Sequence, residues 1–230
     1  MKRIREIIAD IRNRYPAEDF FSDFEETYSI SASKKKAYQA YGKVLNKLDE
    51  KSWKVLKEKA LNQFRNHREG QRKQGFFNQL NEAFAYSYLA NQRCKNISFL
   101  KEGGNMKPDI EYVFKNSKGY CEVKTLSISD LEIDRRGSLS VIDGEVYCSL
   151  TDGFLNKFHE AICTAWEQIN SLGKDGLVYL IVNFDDIALD HYKNYWQQLI
   201  RYCKKNEIRS VFIKIGYLGK KRISITLPFS

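Results

Sequence analysis

Lys107-Pro-Asp-Ile-Glu-Tyr-Val-Phe114, Lys115-Asn-Ser-Lys118 and Gly119-Tyr-Cys-Glu-Val-Lys-Thr-Leu126 follow one another without a break. Residues 107–114 and 119–126 are both of strand length and rich in β-branched and aromatic side chains. The turn Lys115-Asn-Ser-Lys-Gly119 separates them, so the stretch predicts a β-hairpin. Alternation along a strand then sorts the side chains. Asp109, Glu111 and Val113 share one face of the first strand, and Tyr120, Glu122 and Lys124 share one face of the second. A register that pairs the two polar faces brings Asp109 beside Glu122 and Lys124, on a sheet that is otherwise apolar.

Working outward, residues 76–90 form an apolar helix whose single charge is Glu82, and residues 97–100 are a short strand. Downstream of the hairpin lies a long polar segment, 127–151, with Arg135, Arg136, Gly137 and Gly144. A helix follows over about 154–169, with Phe158, Ile162, Ala165, Trp166 and Ile169 on one side. Leu177-Val-Tyr-Leu-Ile-Val-Asn-Phe184 is an unbroken apolar run of strand length, as expected of a strand buried on both faces. A further amphipathic helix (190–204) and strands at 211–215 and 223–227 close the chain. Helix, three strands, helix, strand, helix, strand implies an α/β fold around a mixed central sheet flanked by helices.

The N-terminal third reads differently. Ile4, Ile7, Ile8 and Ile11 recur at helical spacing up to Pro16, and further helices are expected over 33–48 and from Ser52, the last with the stripe Trp53, Leu56, Ala60, Leu61 and Phe64. A polar, glycine-flanked stretch at 67–75 marks a junction. Two regions follow: a basic helical N-terminal region, 1–70, and an α/β domain, 71–230.

Charge is concentrated in the first region. The chain carries a net +9, and residues 34–73 alone hold thirteen Lys or Arg against four Asp or Glu, leaving the remainder neutral. Such a block attracts polyanions by counterion release. No run of about 18 apolar residues is present, which argues against a membrane span. The charged start Met1-Lys-Arg-Ile-Arg-Glu lacks the apolar core of a signal peptide, so a cytoplasmic protein is expected. Five cysteines, an odd number without a CxxC pair, read as free thiols rather than a disulfide framework or a zinc ribbon.

Two carboxylates and an ammonium brought together on an apolar sheet make sense if a divalent cation relieves the repulsion between the carboxylates. Oxygen-only ligands suit magnesium, with manganese as a substitute. At this point the sequence resembles the PD-(D/E)xK nuclease superfamily, whose members include many restriction endonucleases. Pro108-Asp109 matches its PD element, Glu122-Val123-Lys124 its ExK element, and the element order over 76–184 its helix–three strands–helix–strand core. The resemblance covers about half of the chain and leaves residues 1–70 outside.

It implies a restriction-endonuclease-like fold and a magnesium-dependent endonuclease hydrolysing DNA, of restriction or defence type. Asp109 and Glu122 would be metal ligands, joined by the backbone carbonyl of Val123. Lys124 would serve the attacking water, Glu82 would assist at the metal, and Lys157 and Gln168 would face the scissile phosphate. Glu111 is a further possible ligand. Cleaving both strands of a duplex calls for two active sites, hence a homodimer. A catalytically silent nucleic-acid-binding module of the same fold, and an RNA- or single-strand-specific nuclease, stay open as alternatives.

Overall fold

The computed structural model describes residues 1–66, 73–100, 106–127, 148–183, 192–215 and 221–225. The polar segment after the hairpin, with its arginines and glycines, therefore lies largely outside the described residues. So does most of the expected junction at 67–75. The chain divides into two compact units, Met1–Lys101 and Glu102–Ser230.

In the first unit, α1 (Lys2–Arg14) buries Ile4, Ile7, Ile8 and Ile11 and stops one residue before Tyr15-Pro16, where proline disfavours a helical predecessor. A short α2 (Phe24–Ile30) follows, which periodicity did not suggest. Both of the longer helices after it have side-chain N-caps. Ser31 Oγ accepts from the Lys34 amide at 3.3 Å ahead of α3 (Ala32–Leu45), and Asp49 Oδ1 accepts from the Ser52 amide at 2.7 Å ahead of α4 (Glu50–Asn62). The guanidinium of Arg3 donates to the carbonyls of Leu45 and Leu48, satisfying acceptors at the end of α3. At the centre, Phe21, Phe64 and Phe76 pack with ring centroids 5.5–6.0 Å apart.

Phe76 belongs to α5 (Gln74–Asn91), which packs on α3 and α4, and β1 (Lys95–Phe99) packs on α4 and α5. The apolar helix expected to open the α/β domain thus shares a core with the basic helices, and the unit boundary falls after β1 rather than at 70/71. Lys73, just ahead of α5, adopts φ 60°. Its buried ammonium pairs with Glu18 and lies 4.1 Å from the centre of the Phe64 ring.

The second unit holds five strands: β2 (Ile110–Phe114), β3 (Ser117–Leu126), β4 (Gly176–Val182), β5 (Val211–Ile215) and β6 (Lys221–Ile225). They run side by side in chain order. β2 and β3 are antiparallel, β3, β4 and β5 are mutually parallel, and β6 returns antiparallel, so the sheet is mixed. Both parallel connections contain a helix, α6 (Asp152–Asn170) after β3 and α7 (Tyr192–Lys205) after β4. Crossovers of this kind are right-handed as a rule, which sets two helices stepping in the same direction on one face. Phe158 of α6 accordingly meets Tyr202 of α7 edge to face at 6.0 Å.

α6 buries Phe158, Ile162, Ala165 and Ile169 against the sheet and leaves Trp166 half-buried. Every residue of β4 is buried, as its unbroken apolar sequence requires. The hairpin turn is tighter than expected. Phe114 already pairs with Ser117, leaving Lys115 and Asn116 at φ 47° and 67°, the left-handed geometry of a two-residue type I′ turn. Among the described residues no helix is long and apolar enough to cross a membrane.

Candidate active site

Register settles which hairpin residues meet. Ile110 pairs with Cys121 and Glu111 with Tyr120, so the next step of the ladder sets Asp109 against Glu122. There the two residues lock each other. The Asp109 amide donates to Glu122 Oε2 at 3.1 Å, and the Val123 amide donates to Asp109 Oδ2 at 2.9 Å. Lys124, two residues along the strand on the face of Glu122, donates from Nζ to Glu122 Oε1 at 2.7 Å. The expected convergence of Asp109, Glu122 and Lys124 is therefore present in the structure.

Val123 is oriented by the same ladder. The Tyr120 amide donates across to the β4 side, to Asp175, so odd-numbered residues of β3 turn their backbone groups toward β2. The Val123 carbonyl consequently faces the position of Pro108, a residue with no N–H to donate to it. Proline at 108 thus ends the ladder and leaves a carbonyl oxygen on the side of Asp109.

Glu122 carries the strongest electrostatic signature. Its side chain is only 4% exposed, and burial, followed by the nearby Asp109 carboxylate, pushes its carboxyl from 4.5 up to about 8 against the lowering pull of Lys124. A second positive charge beside Asp109 and Glu122 would oppose that shift. The donor set is oxygen only, two carboxylates and a carbonyl, and magnesium is commonly held by one or two carboxylates while keeping several waters. The residues fit such an ion.

Gln168 reaches the same cluster from α6. Its side-chain oxygen accepts from Lys124 Nζ, while its Nε2 donates to the Lys107 carbonyl at 3.1 Å. One amide thereby ties the lysine to the segment that delivers Asp109. Ser171, three residues on, donates from Oγ to the Met106 carbonyl at 3.2 Å. The end of α6 thus clamps two successive carbonyls ahead of Pro108, and sequence reasoning passed over Ser171 altogether. Lys157 donates to the Ser127 carbonyl at 3.3 Å, just past the end of β3.

Two expected acidic partners have other engagements. Glu111 salt-bridges Lys118 at 2.7 Å. Glu82 belongs to the first unit, where it is 3% exposed and receives the ammonium of Lys59 at 2.8 and 2.9 Å. Among the described residues no group of three or more His, Cys, Asp or Glu side chains gathers to hold an ion, so the two-carboxylate pair stands without a third acidic residue.

The basic block is also sorted by the structure. Lys57 is held by Glu6 and Asp10, Lys59 by Glu82 and Lys73 by Glu18. Lys34, Lys35, Lys36, Lys43, Lys47, Lys51 and Lys54 are exposed on α3, on α4 and between them. The five cysteines are all free, and burial raises the thiols of Cys94 and Cys203 to about 11, which leaves them unreactive at neutral pH. Comparison of the chain with known protein families, with characterised proteins and with solved structures finds no match.

Proposed function

We propose that the chain is a magnesium-dependent endonuclease that hydrolyses DNA phosphodiester bonds, of the PD-(D/E)xK type and restriction-endonuclease-like in its core. The observation that carries this reading is the junction of Asp109, Glu122 and Lys124 at the mouth of the β2–β3 hairpin, with the Val123 carbonyl turned to the same side. A structural role explains it poorly, because burying one carboxylate beside another costs stability that a surface salt bridge would not.

Asp109, Glu122 and the Val123 carbonyl would hold the ion. When bound, magnesium supplies Lewis-acid stabilisation of charge on the phosphate and acidifies water. Lys124 keeps its ammonium on Glu122 Oε1. With Glu122 engaged by a cation, Lys124 would be free to neutralise charge developing on the phosphate. Gln168 holds that ammonium in place through its side-chain oxygen. The exposed lysines of α3 and α4 supply phosphate contacts that position a duplex without reading its sequence. Since one centre cuts one strand, double-strand cleavage calls for a twofold homodimer.

The test is cleavage of supercoiled plasmid, linear duplex and RNA with and without magnesium, using the native chain and Asp109→Ala, Glu122→Ala and Lys124→Ala. Duplex DNA should be cut only by the native chain with the metal. Each variant should lose about a hundredfold or more, as is typical when such a group is removed. A chain that binds duplex DNA in calcium yet leaves it whole in magnesium would refute the proposal.

A further inference from the structure

A cavity of about 310 Å³ opens at the hairpin-turn end of the sheet in the second unit, and neither Asp109 nor Glu122 lines it. Its walls combine three aromatic side chains, Tyr112, Phe114 and Trp166, with three lysines, Lys115, Lys118 and Lys174. Asp109 precedes the first residue of β2, whereas Phe114 is the last, a separation of roughly 16 Å along an extended strand.

The lysines differ in what they can do. Lys118 is pinned by Glu111 at 2.7 Å, so its stem forms wall while its charge is answered. Lys115 and Lys174 are exposed, Lys115 reaching 5.1 Å above the Phe114 ring from the tight turn. Phe114 and Trp166 are half-buried and Tyr112 buried, so aromatic surface is offered without being free to collapse into the core. Gly119 allows this arrangement. A Cβ there would lie 2.7 Å from the Tyr112 ring and drive it from its place on the wall.

An apolar ligand would leave two ammonium groups unanswered, and a bare phosphate would leave the aromatic wall unused. The combination suits a planar ring joined to an anion, which is the makeup of a nucleotide. The volume lies at the lower end of small-molecule sites, roughly 300–1,000 Å³. Asp175 also lines the cavity and offers an acceptor for an exocyclic amine or a sugar hydroxyl.

We infer that this cavity binds a single nucleotide, its base against the aromatic wall and its phosphate on Lys115 and Lys174. The nucleotide comes either free or as the unpaired 5′-phosphorylated end of a nucleic-acid strand. This site goes beyond the cleavage reading and does not depend on it.

Calorimetric titration of the full chain in EDTA, where no cleavage can occur, tests the inference. The probes are deoxyadenosine, inorganic phosphate, deoxyadenosine 5′-monophosphate and a 5′-phosphorylated oligo(dA) in single-stranded form. The monophosphate, the oligonucleotide or both should bind at least tenfold more tightly than deoxyadenosine or phosphate. Trp166→Ala and the pair Lys115→Glu, Lys174→Glu should each remove at least tenfold of that affinity. Glu122→Gln should leave it unchanged, which separates this site from the cleavage centre. Tighter binding of the oligonucleotide assigns the cavity to a strand end, and tighter binding of the monophosphate assigns it to a free nucleotide. Absence of binding at millimolar concentration, or affinity indifferent to the lysine pair (two exposed positions whose change leaves the fold intact), overturns the inference.

Discussion

Glu122→Gln isolates the electrostatic cost that the candidate centre imposes on the metal-free protein. In the unfolded chain this carboxyl releases its proton near 4.5, whereas in the folded protein burial and Asp109 hold the proton to about 8. Folding is therefore favoured most below the lower value, and stability is lost as pH rises from 4.5 toward 8. One unit is worth about 1.4 kcal/mol, so at pH 7 the difference is on the order of 3 kcal/mol. Glutamine removes that dependence but keeps a single acceptor where Glu122 receives both the Asp109 amide and Lys124. Leaving one buried donor unanswered returns about 1–3 kcal/mol. At pH 8 the same two values give on the order of 4 kcal/mol, so the expected net effect there is a gain of about 1–3 kcal/mol, or roughly 3–9 °C in melting temperature for a chain of this size. Toward pH 5 the gain should vanish. Thermal melts in EDTA across pH 5–8 measure it. Magnesium should raise and flatten the native profile while leaving the variant nearly unmoved. A native protein whose melting temperature is the same at pH 5 and pH 8, tracked throughout by the variant, would refute the reasoning.

Magnesium or manganese should support cleavage and EDTA abolish it, with calcium allowing binding but little turnover; nicking of supercoiled plasmid in each condition decides. Charge reversal at Lys34, Lys35 and Lys36, all exposed, should weaken binding to every DNA sequence alike and flatten log affinity against log salt. Fluorescence anisotropy at several salt concentrations reads both. Lys59→Ala, by contrast, strands Glu82 in a buried site and should cost about 3–5 kcal/mol in urea unfolding. A loss below 1 kcal/mol would mean that Glu82 is adequately answered without Lys59. Gln168→Ala releases the bridge between Lys124 and Lys107, so kcat should fall while the KM for duplex stays within about twofold.

The hairpin was readable because a period of two, a turn of defined chemistry and one register suffice to bring Asp109, Glu122 and Lys124 together. β4 was readable because an unbroken apolar run of strand length, rich in β-branched residues, suits a strand buried on both faces. What escaped depended on distant partners. Lys59 and Glu82 lie 23 residues apart on different helices, and no local pattern announces that the lone charge of α5 is answered from α4. The assignment of α5 to the basic helices had the same cause, since an apolar helix face does not declare which core it enters. Charge counting likewise could not separate Lys34, Lys35 and Lys36, which face solvent, from Lys57, Lys59 and Lys73, which pair with carboxylates of their own unit. Seven residues are too few for periodicity to reveal α2. The partners of Gln168, Lys107 and Lys124, are set by how α6 lies across β3 and so leave no local pattern.

α6 is fastened near one end to the exit of the strand that carries Glu122 and Lys124, and near the other to the segment that leads into β2. Lys157 grips the carbonyl just past β3, and Gln168 and Ser171, more than ten residues on, grip the backbone leading into Asp109. Between Lys157 and Gln168 the helix is a stiff rod of roughly 16 Å. It therefore behaves as a brace, coupling the exit of β3 to the spacing of the two carboxylates. Softening its middle, as with glycine at the exposed Cys163, would leave every residue of the centre in place while loosening the distance on which their cooperation depends.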